Sequence, residues 1–319
     1  MFQQIKQVPI KCLIHGIITF LPGLHNWRSK GTGGTNSARY CYSVWLRHLV
    51  MAKKNNLNTN PKIVAELGPG DSLGIGLAAL LSGAQKYYAF DIVKHSTLEK
   101  NLEIFNELVK LFKNKEDIPG DKEFPKVVPP LDNYKFPSEI LTNDRLQKSL
   151  QKTRIEEIRK ALLDCDSPKS PIKYKVPWYD IDILDKNSVD MIYSQAVLEH
   201  VDELEDCYRK MYQWLKPSGY ISHTIDFKSH GLAKDWNGHW CYSDILWKLI
   251  KGKRPYLLNR EPLSTHIKLL YKIGFDIKMI LKVKSQSNLT INDLSKKFRY
   301  LSKEDLTTSS VFIQAIKPN

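Results

Sequence analysis

Apolar and polar positions alternate in two blocks of the chain with the rhythm of strand, helix, strand. In the first, Lys62-Ile63-Val64-Ala65-Glu66-Leu67 reads as a strand, a Gly-rich turn follows, an apolar helix covers Ile75 to Leu81, and a second strand runs over Tyr87–Ile92. In the second, a strand at Val189–Tyr193 leads into a helix from about Val201 to Leu215 and on to a strand at Tyr220–Asp226. Each block is a βαβ unit, which implies parallel strands and a doubly wound α/β sheet. Two later apolar runs, Phe275–Val283 and Val311–Ile316, can pair antiparallel at a sheet edge, with a helix near Leu263–Tyr271 before them.

Between the blocks, residues 93–177 are richer in Lys, Glu, Asp and Pro and read as an insertion of helices and loops. Ahead of the first strand, Tyr40, Val44, Trp45 and Leu49 recur at helical spacing, so a helix over Ser37–Lys53 is expected to pack on the sheet. Residues 1–60 therefore form an N-terminal helical extension or lid, and 61–319 one decorated domain. With 42% apolar and 26% charged residues, the composition is that of a folded chain rather than a disordered one. Five scattered cysteines without a CxxC pair exclude a disulfide scaffold and offer no metal clamp. The apolar run Cys12–Leu24 is broken by His15, Gly16, Pro22 and Gly23 and is shorter than the ~20 residues a spanning helix needs. Lys6 and Lys11 imitate a signal peptide, but no small-x-small cleavage site follows. A packed or membrane-grazing segment of a cytoplasmic protein is expected instead. The net charge is +14, of which +10 falls after residue 226, pointing to an anionic partner without choosing among phosphate, acidic glycan, nucleic acid and membrane.

The turn Glu66-Leu67-Gly68-Pro69-Gly70-Asp71-Ser72-Leu73-Gly74 joins a strand to a helix, where backbone N–H groups and the positive helix end can hold a ligand. Asp91, twenty-three residues beyond Gly68 at the end of the next strand, can set both carboxylate oxygens against the two hydroxyls of a ribose. A dinucleotide fingerprint needs Gly-x-Gly-x-x-Gly; here the third glycine comes one residue late and Glu66 precedes the first by two. A carboxylate there suits an ammonium-bearing cofactor better than a pyrophosphate.

Glu66-Leu67-Gly68-Pro69-Gly70 with Asp91 resembles the class I S-adenosylmethionine-dependent methyltransferases, of the type 11/12 kind. Asn187 to Val201 is similar to that family's fourth strand and following helix, and Leu215-Lys216-Pro217-Ser218-Gly219-Tyr220 to the turn into its fifth. The resemblance implies a Rossmann-like sheet of seven strands with a terminal antiparallel hairpin, and S-adenosyl-L-methionine as cofactor. It further implies that Glu66, Gly68, Pro69, Gly70 and Asp71 line the methionine end and that Asp91 binds the ribose. Ile92 would flank the adenine and Asp180 meet its amine, in competition with Tyr179 and Asp182. Gln195 and Ala196 would lie beneath the sulfonium.

Methyl transfer is an in-line displacement, so the enzyme must align the acceptor, exclude water and remove a proton when the nucleophile is a hydroxyl; no metal is required. Ser194-Gln195-Ala196-Val197 is not the Asn/Asp-Pro-Pro-aromatic pattern of methyltransferases acting on exocyclic base amines. The acceptor side is expected over 227–274. His223, Asp226, His230 and His239 are the candidate base cluster, with Asp226 orienting an imidazole. His200, at a helix start, is expected to make a structural contact. Arg254 and Arg260 are candidate clamps for an anionic acceptor, with Tyr256, Asn259 and Trp247 beside them. Gly31 to Asn36 could close over the cofactor and bring Arg39 to the methionyl carboxylate. The expected activity is methylation of an oxygen on a small polar or glycan acceptor, as in surface-polysaccharide pathways. An RNA methyltransferase and a non-catalytic cofactor-binding protein are the alternatives.

Overall fold

The computed structural model describes residues 8–21, 34–165, 167–178, 180–254 and 256–319. In chain order the main elements are α1 (Ile10–Ile18), α2 (Ala38–Lys54), β1 (Ile63–Leu67), α3 (Gly74–Leu81), β2 (Lys86–Phe90), α4 (Leu98–Asn114), α5 (Asn143–Ser149), α6 (Lys152–Leu163) and β3 (Ile172–Lys175). There follow β4 (Val189–Gln195), α7 (Leu204–Trp214), β5 (Leu215–Asp226), α8 (Asp244–Lys251), α9 (Leu263–Ile273), β6 (Asp276–Lys284), α10 (Lys303–Thr307) and β7 (Thr308–Ile316).

One seven-stranded sheet runs in the order β3-β2-β1-β4-β5-β7-β6. The first five strands are parallel to their neighbours, whereas β7 lies antiparallel between β5 and β6. The chain order reverses between β1 and β4, and such a switch point opens a crevice at the carboxyl ends of the strands. Successive side chains of β1 feed opposite layers. Val64 joins the core under α2, α3 and α4, while Ala65 and Leu67 join the core under α7 and α9.

The hairpin, the parallel blocks and the packing of the helix before β1 follow the sequence expectation. Two differences have physical causes. Residues 93–177 are not wholly an insertion, because they supply the sheet's edge strand β3, which pairs with β2 from Tyr87↔Ile172 to Phe90↔Lys175. Ile-Lys-Tyr-Lys is four residues long, alternates and sits among prolines, so it makes no apolar run. Its companion α4 buries Ile104, Phe105, Leu108 and Phe112 in the core it shares with α2, α3 and α6. Nor is all of 1–60 a lid: α2, capped by Ser37, is buried along most of its length, and Trp45 donates its indole N–H to Ser82 Oγ at 2.7 Å.

Candidate active site

The Gly-rich turn leaves β1 with Gly68 (φ 64°) and Gly70 (φ 73°) in the left-handed region that favours glycine. A Cβ on Gly68 would lie 2.6 Å from Val197 Cγ2, so the β1 and β4 ends meet only because that side chain is absent. Thr35, ahead of α2, straps the turn. Its hydroxyl donates to the Pro69 carbonyl at 2.7 Å and accepts the Ser72 N–H at 3.0 Å. Asn101 of α4 accepts the Leu73 N–H at 2.8 Å. The turn is thus held from outside, with its inner edge on the crevice.

Asp91 follows β2. Its Oδ1 accepts the Ile92 N–H at 2.8 Å and its Oδ2 the Gly70 N–H at 3.4 Å, so the carboxylate is pinned across the turn. Burial raises its pKa, opposed by those backbone N–H groups. Gly68, Asp91 and Ile92 share a cavity of about 460 Å³ with Trp178, Val197 and His200, within the usual range for ligand pockets. Asp202, Glu203 and Asp206 also line it; Asp202 is paired with Lys251 and Asp206 with Lys210, and with Asp91 counted the lining acids outnumber its one lysine, a balance that favours a cationic ligand over an anionic one. The size, the pinned carboxylate, the aromatic wall of Trp178 and the approach allowed by Gly68 all fit S-adenosylmethionine, a nucleoside with a positive sulfonium.

Several expected cofactor residues lie elsewhere. Glu66 points into the helical layer, 1% exposed, where Tyr87 and Tyr193 donate their hydroxyls to its Oε2. Burial pushes its pKa up to about 8, so it is a core carboxyl and does not line the cavity. Pro69 contributes its carbonyl to the Thr35 strap, and Asp71 is outside the cavity lining. Asp180 is exposed and caps the short helical turn Ile181–Ile183 by accepting the Asp182 N–H at 2.9 Å. Trp178 stands on the wall where Asp180 was expected, its N–H donated to the Asp91 carbonyl at 3.2 Å. Tyr179 and Gly31 to Gly33 lie outside the described residues. Arg39 is held by Glu123 through two bonds of 2.7 Å and does not line the cavity.

Gln195 and Ala196 end β4 at the crevice, under a cover drawn from the inserted stretch. The Val128 carbonyl accepts Thr224 Oγ1 at 2.9 Å and Gln195 Nε2 at 3.4 Å. Arg47 of α2, fully buried, fixes this cover by donating to the Val127 carbonyl at 2.9 Å and the Pro129 carbonyl at 2.7 Å. Ala196 takes a left-handed φ of 55°, strained for a residue with a Cβ, and donates its N–H to Thr224 O at 2.9 Å.

The acceptor-side expectations divide. His223 is not at the strand end but inside the sheet, 1% exposed. Its Nδ1 is 2.8 Å from Ser194 Oγ, and burial lowers its pKa to about 3. His239 is equally internal, packed on Trp240 and held neutral first by burial and then by Arg260. Arg260, 4% exposed, bonds the Tyr242 carbonyl and Asp244, each at 2.9 Å, and lies over the Trp247 and Phe298 rings. Arg254 donates to the Ile250 and Lys251 carbonyls. Asn259 donates to the Leu198 and Val201 carbonyls at 2.7 and 2.8 Å. These residues brace the fold, and the expected anion clamp is absent from the cavity wall.

Asp226 and His230 do meet, with Nε2 to Oδ2 at 3.4 Å. Burial raises the Asp226 pKa, but His230 and the Lys228 N–H outweigh it and hold the carboxyl below its ordinary value. The His230 ring lies 5.4 Å from that of His200. His200, expected to be structural, lines the cavity itself. Its Nδ1–H donates to the Tyr256 carbonyl at 3.0 Å, which leaves a lone pair on Nε2. Burial, aided by His230, lowers its pKa to about 4. The side chain of Tyr256 takes no part in that bond. The place of Trp178 and His200 on the cavity wall is not legible in the sequence, where no spacing rule marks either. Among the described residues no group of His, Cys, Asp or Glu could hold a metal ion.

Residues 146–222, from α5 into β5, match the family model of a methyltransferase domain. A solved S-adenosylmethionine dependent methyltransferase from Mesorhizobium loti is 15% identical over 86% of this chain and 97% of its own, with a TM-score of 0.42. A phosphoethanolamine N-methyltransferase 2 from Haemonchus contortus, solved with S-adenosyl-L-methionine, is 13% identical over 89% of this chain and 58% of its own, also at 0.42. No protein with a curated description matches.

Proposed function

We propose that this chain is a class I S-adenosylmethionine-dependent methyltransferase and that it acts on a hydroxyl oxygen of a small polar or glycan acceptor, as in surface-polysaccharide biosynthesis. The observation that carries this reading is His200, a neutral imidazole in the wall of the cavity that Gly68 and Asp91 line, its Nδ1–H fixed on a carbonyl. A neutral hydroxyl is a weak nucleophile, and it attacks efficiently when a lone pair is aimed at its proton.

When bound, the cofactor supplies an electrophilic methyl group on a sulfonium. The chain's own residues do the rest. Asp91 and Trp178 orient the nucleoside, and the cover bonded through Val128 O to Gln195 and Thr224 keeps water from the β4 and β5 ends. As the hydroxyl oxygen attacked the methyl group, His200 Nε2 would take up its proton. Because its pKa of about 4 keeps His200 neutral at physiological pH, nearly every molecule is ready to accept that proton. The same low value favours passing it on, toward His230, which Asp226 faces. With Arg254 and Arg260 engaged internally, the favoured acceptor is an uncharged polyol or sugar rather than an anion.

The test is incubation with methyl-labelled donor and fractionated cell extract. Label in the polar small-molecule or glycan pool, stable to mild alkali as an ether is, supports the proposal. Label released from RNA as modified nucleosides, or found on nitrogen, overturns it.

A further inference from the structure

Helix α1 is inverted for a surface helix. It buries Gly16 and exposes isoleucines: Ile10 is 74% exposed, Ile14 49% and Ile17 46%, a stripe at i, i+4 and i+7. The buried edge is docked on α8 so closely that a Cβ on Gly16 would lie 2.1 Å from the Leu249 carbonyl oxygen. Thr19 Oγ1 closes the joint by accepting the Lys253 N–H at 2.9 Å. Because α1 is fixed through Gly16, with Cys12 and Leu13 packed on the core, the isoleucines on its other side stay in water. Helix α8, on which α1 is docked, exposes Ile245 (77%) and part of Leu249. Lys11, Lys248 and Lys253 are exposed on the same two helices and their junction, and none pairs with a carboxylate among the described residues.

We infer that the α1/α8 face is a docking surface for an anionic phospholipid bilayer. An exposed apolar stripe beside unpaired lysines is the composition of a helix that lies in the interface plane, with side chains among the acyl chains and ammonium groups at the phosphates. The face is convex helix rather than groove, so it suits a lipid surface better than a peptide. With nine residues α1 reaches only about 14 Å and cannot span, and among the described residues no helix is long and apolar enough to cross a membrane. The charge matches as well, since the chain after residue 226 carries +10. The inference is independent of the acceptor proposed above.

The full chain is sedimented with vesicles of phosphatidylcholine containing about one-third phosphatidylglycerol, and with phosphatidylcholine alone. We expect it to pellet with the mixed vesicles and to be released by about 0.5 M salt. The Ile14→Glu/Ile245→Glu variant should bind at least about tenfold more weakly, and Lys11→Glu/Lys248→Glu roughly tenfold more weakly. Both should keep the parental thermal midpoint, because the altered side chains are exposed. The inference fails if the parent pellets with neither vesicle, or if both variants bind as the parent does. It fails also if the parent is a dimer that the isoleucine variant dissociates while vesicles pellet none of it, the behaviour of a face that meets a second copy.

Discussion

The two ends of the crevice are built by different means. At the donor end the decisive features are backbone ones: Gly68 and Gly70 in left-handed conformations, and Asp91 held by the main-chain N–H groups of Ile92 and Gly70. At the acceptor end the features are side chains, and most of the polar residues gathered there are consumed by the protein itself. His223 bonds Ser194, Arg260 bonds Asp244, and Asn259 clamps the turn after β4. A turn is dictated by residues adjacent in the chain. A side chain's freedom to do chemistry is decided by partners that folding brings from far away.

The sharpest test of that division sets two histidines against each other. His200→Gln should lower kcat by about 10³-fold while leaving the affinity for S-adenosylhomocysteine unchanged, because it removes the lone pair facing the acceptor and little else. His239→Gln, at a fully internal ring, should change kcat by no more than about threefold once stability is matched. The parent's kcat/KM should fall with acid only near pH 4, where His200 becomes protonated. Equal losses in the two variants, read by turnover and calorimetry, would erase the distinction. Next in size is Gly68→Val, expected to weaken S-adenosylhomocysteine binding about 100-fold through positive φ and collision with Val197. Affinity within about threefold of the parent would mean that the turn does not hold the cofactor.

Legibility in the sequence follows the same division. The parallel blocks and the terminal hairpin were readable because each strand is an apolar run bounded by turn residues, and the Gly68 turn because glycine spacing is itself conformational. Strand β3 was hidden, since an edge strand buried on few sides needs no apolar run and Ile-Lys-Tyr-Lys has none. Trp178 carries no hydrogen-bonding pattern that would mark it beside Asp180, yet a cavity wall can equally be an aromatic ring. His200 looked structural at the start of a helix. Only the Tyr256 carbonyl, fifty-six residues on, fixes its Nδ1–H, and the fold sets the ring in the cavity wall.

A smaller effect is expected at Arg260, the residue that most looked like an anion clamp. Arg260→Met keeps much of the packing against Trp247 and Phe298 but leaves the Tyr242 carbonyl and Asp244 without their donor. Unfolding in urea should show a loss of about 2 kcal/mol, with KM for the acceptor unchanged. A raised KM with undiminished stability would return Arg260 to the acceptor site.

The smallest effect concerns Glu66, the donor-end side chain whose expected role the structure does not support. Its pKa is raised by burial to about 8, so between the unfolded value near 4.5 and about 8 the folded protein holds the proton that the unfolded chain has lost. The proton count therefore makes stability fall as pH rises through that window. The buried histidines act in the opposite sense: His48, His223, His239 and His266, with pKa values lowered to about 3, make stability rise with pH up to about 6.5. Above that the Glu66 contribution is no longer masked by them, and Glu199, raised in the same direction, is common to parent and variant. Glu66→Gln should match the parent near pH 4.5 and exceed it in thermal midpoint by a margin that grows with pH to a few degrees or more near pH 8, because the amide mimics the neutral carboxyl without ionising. If it also binds S-adenosylhomocysteine as the parent does, Glu66 serves the core. A hundredfold loss of binding without the pH-dependent gain would put its carboxylate back on the cofactor, and side chains would then matter at the donor end as they do at the other.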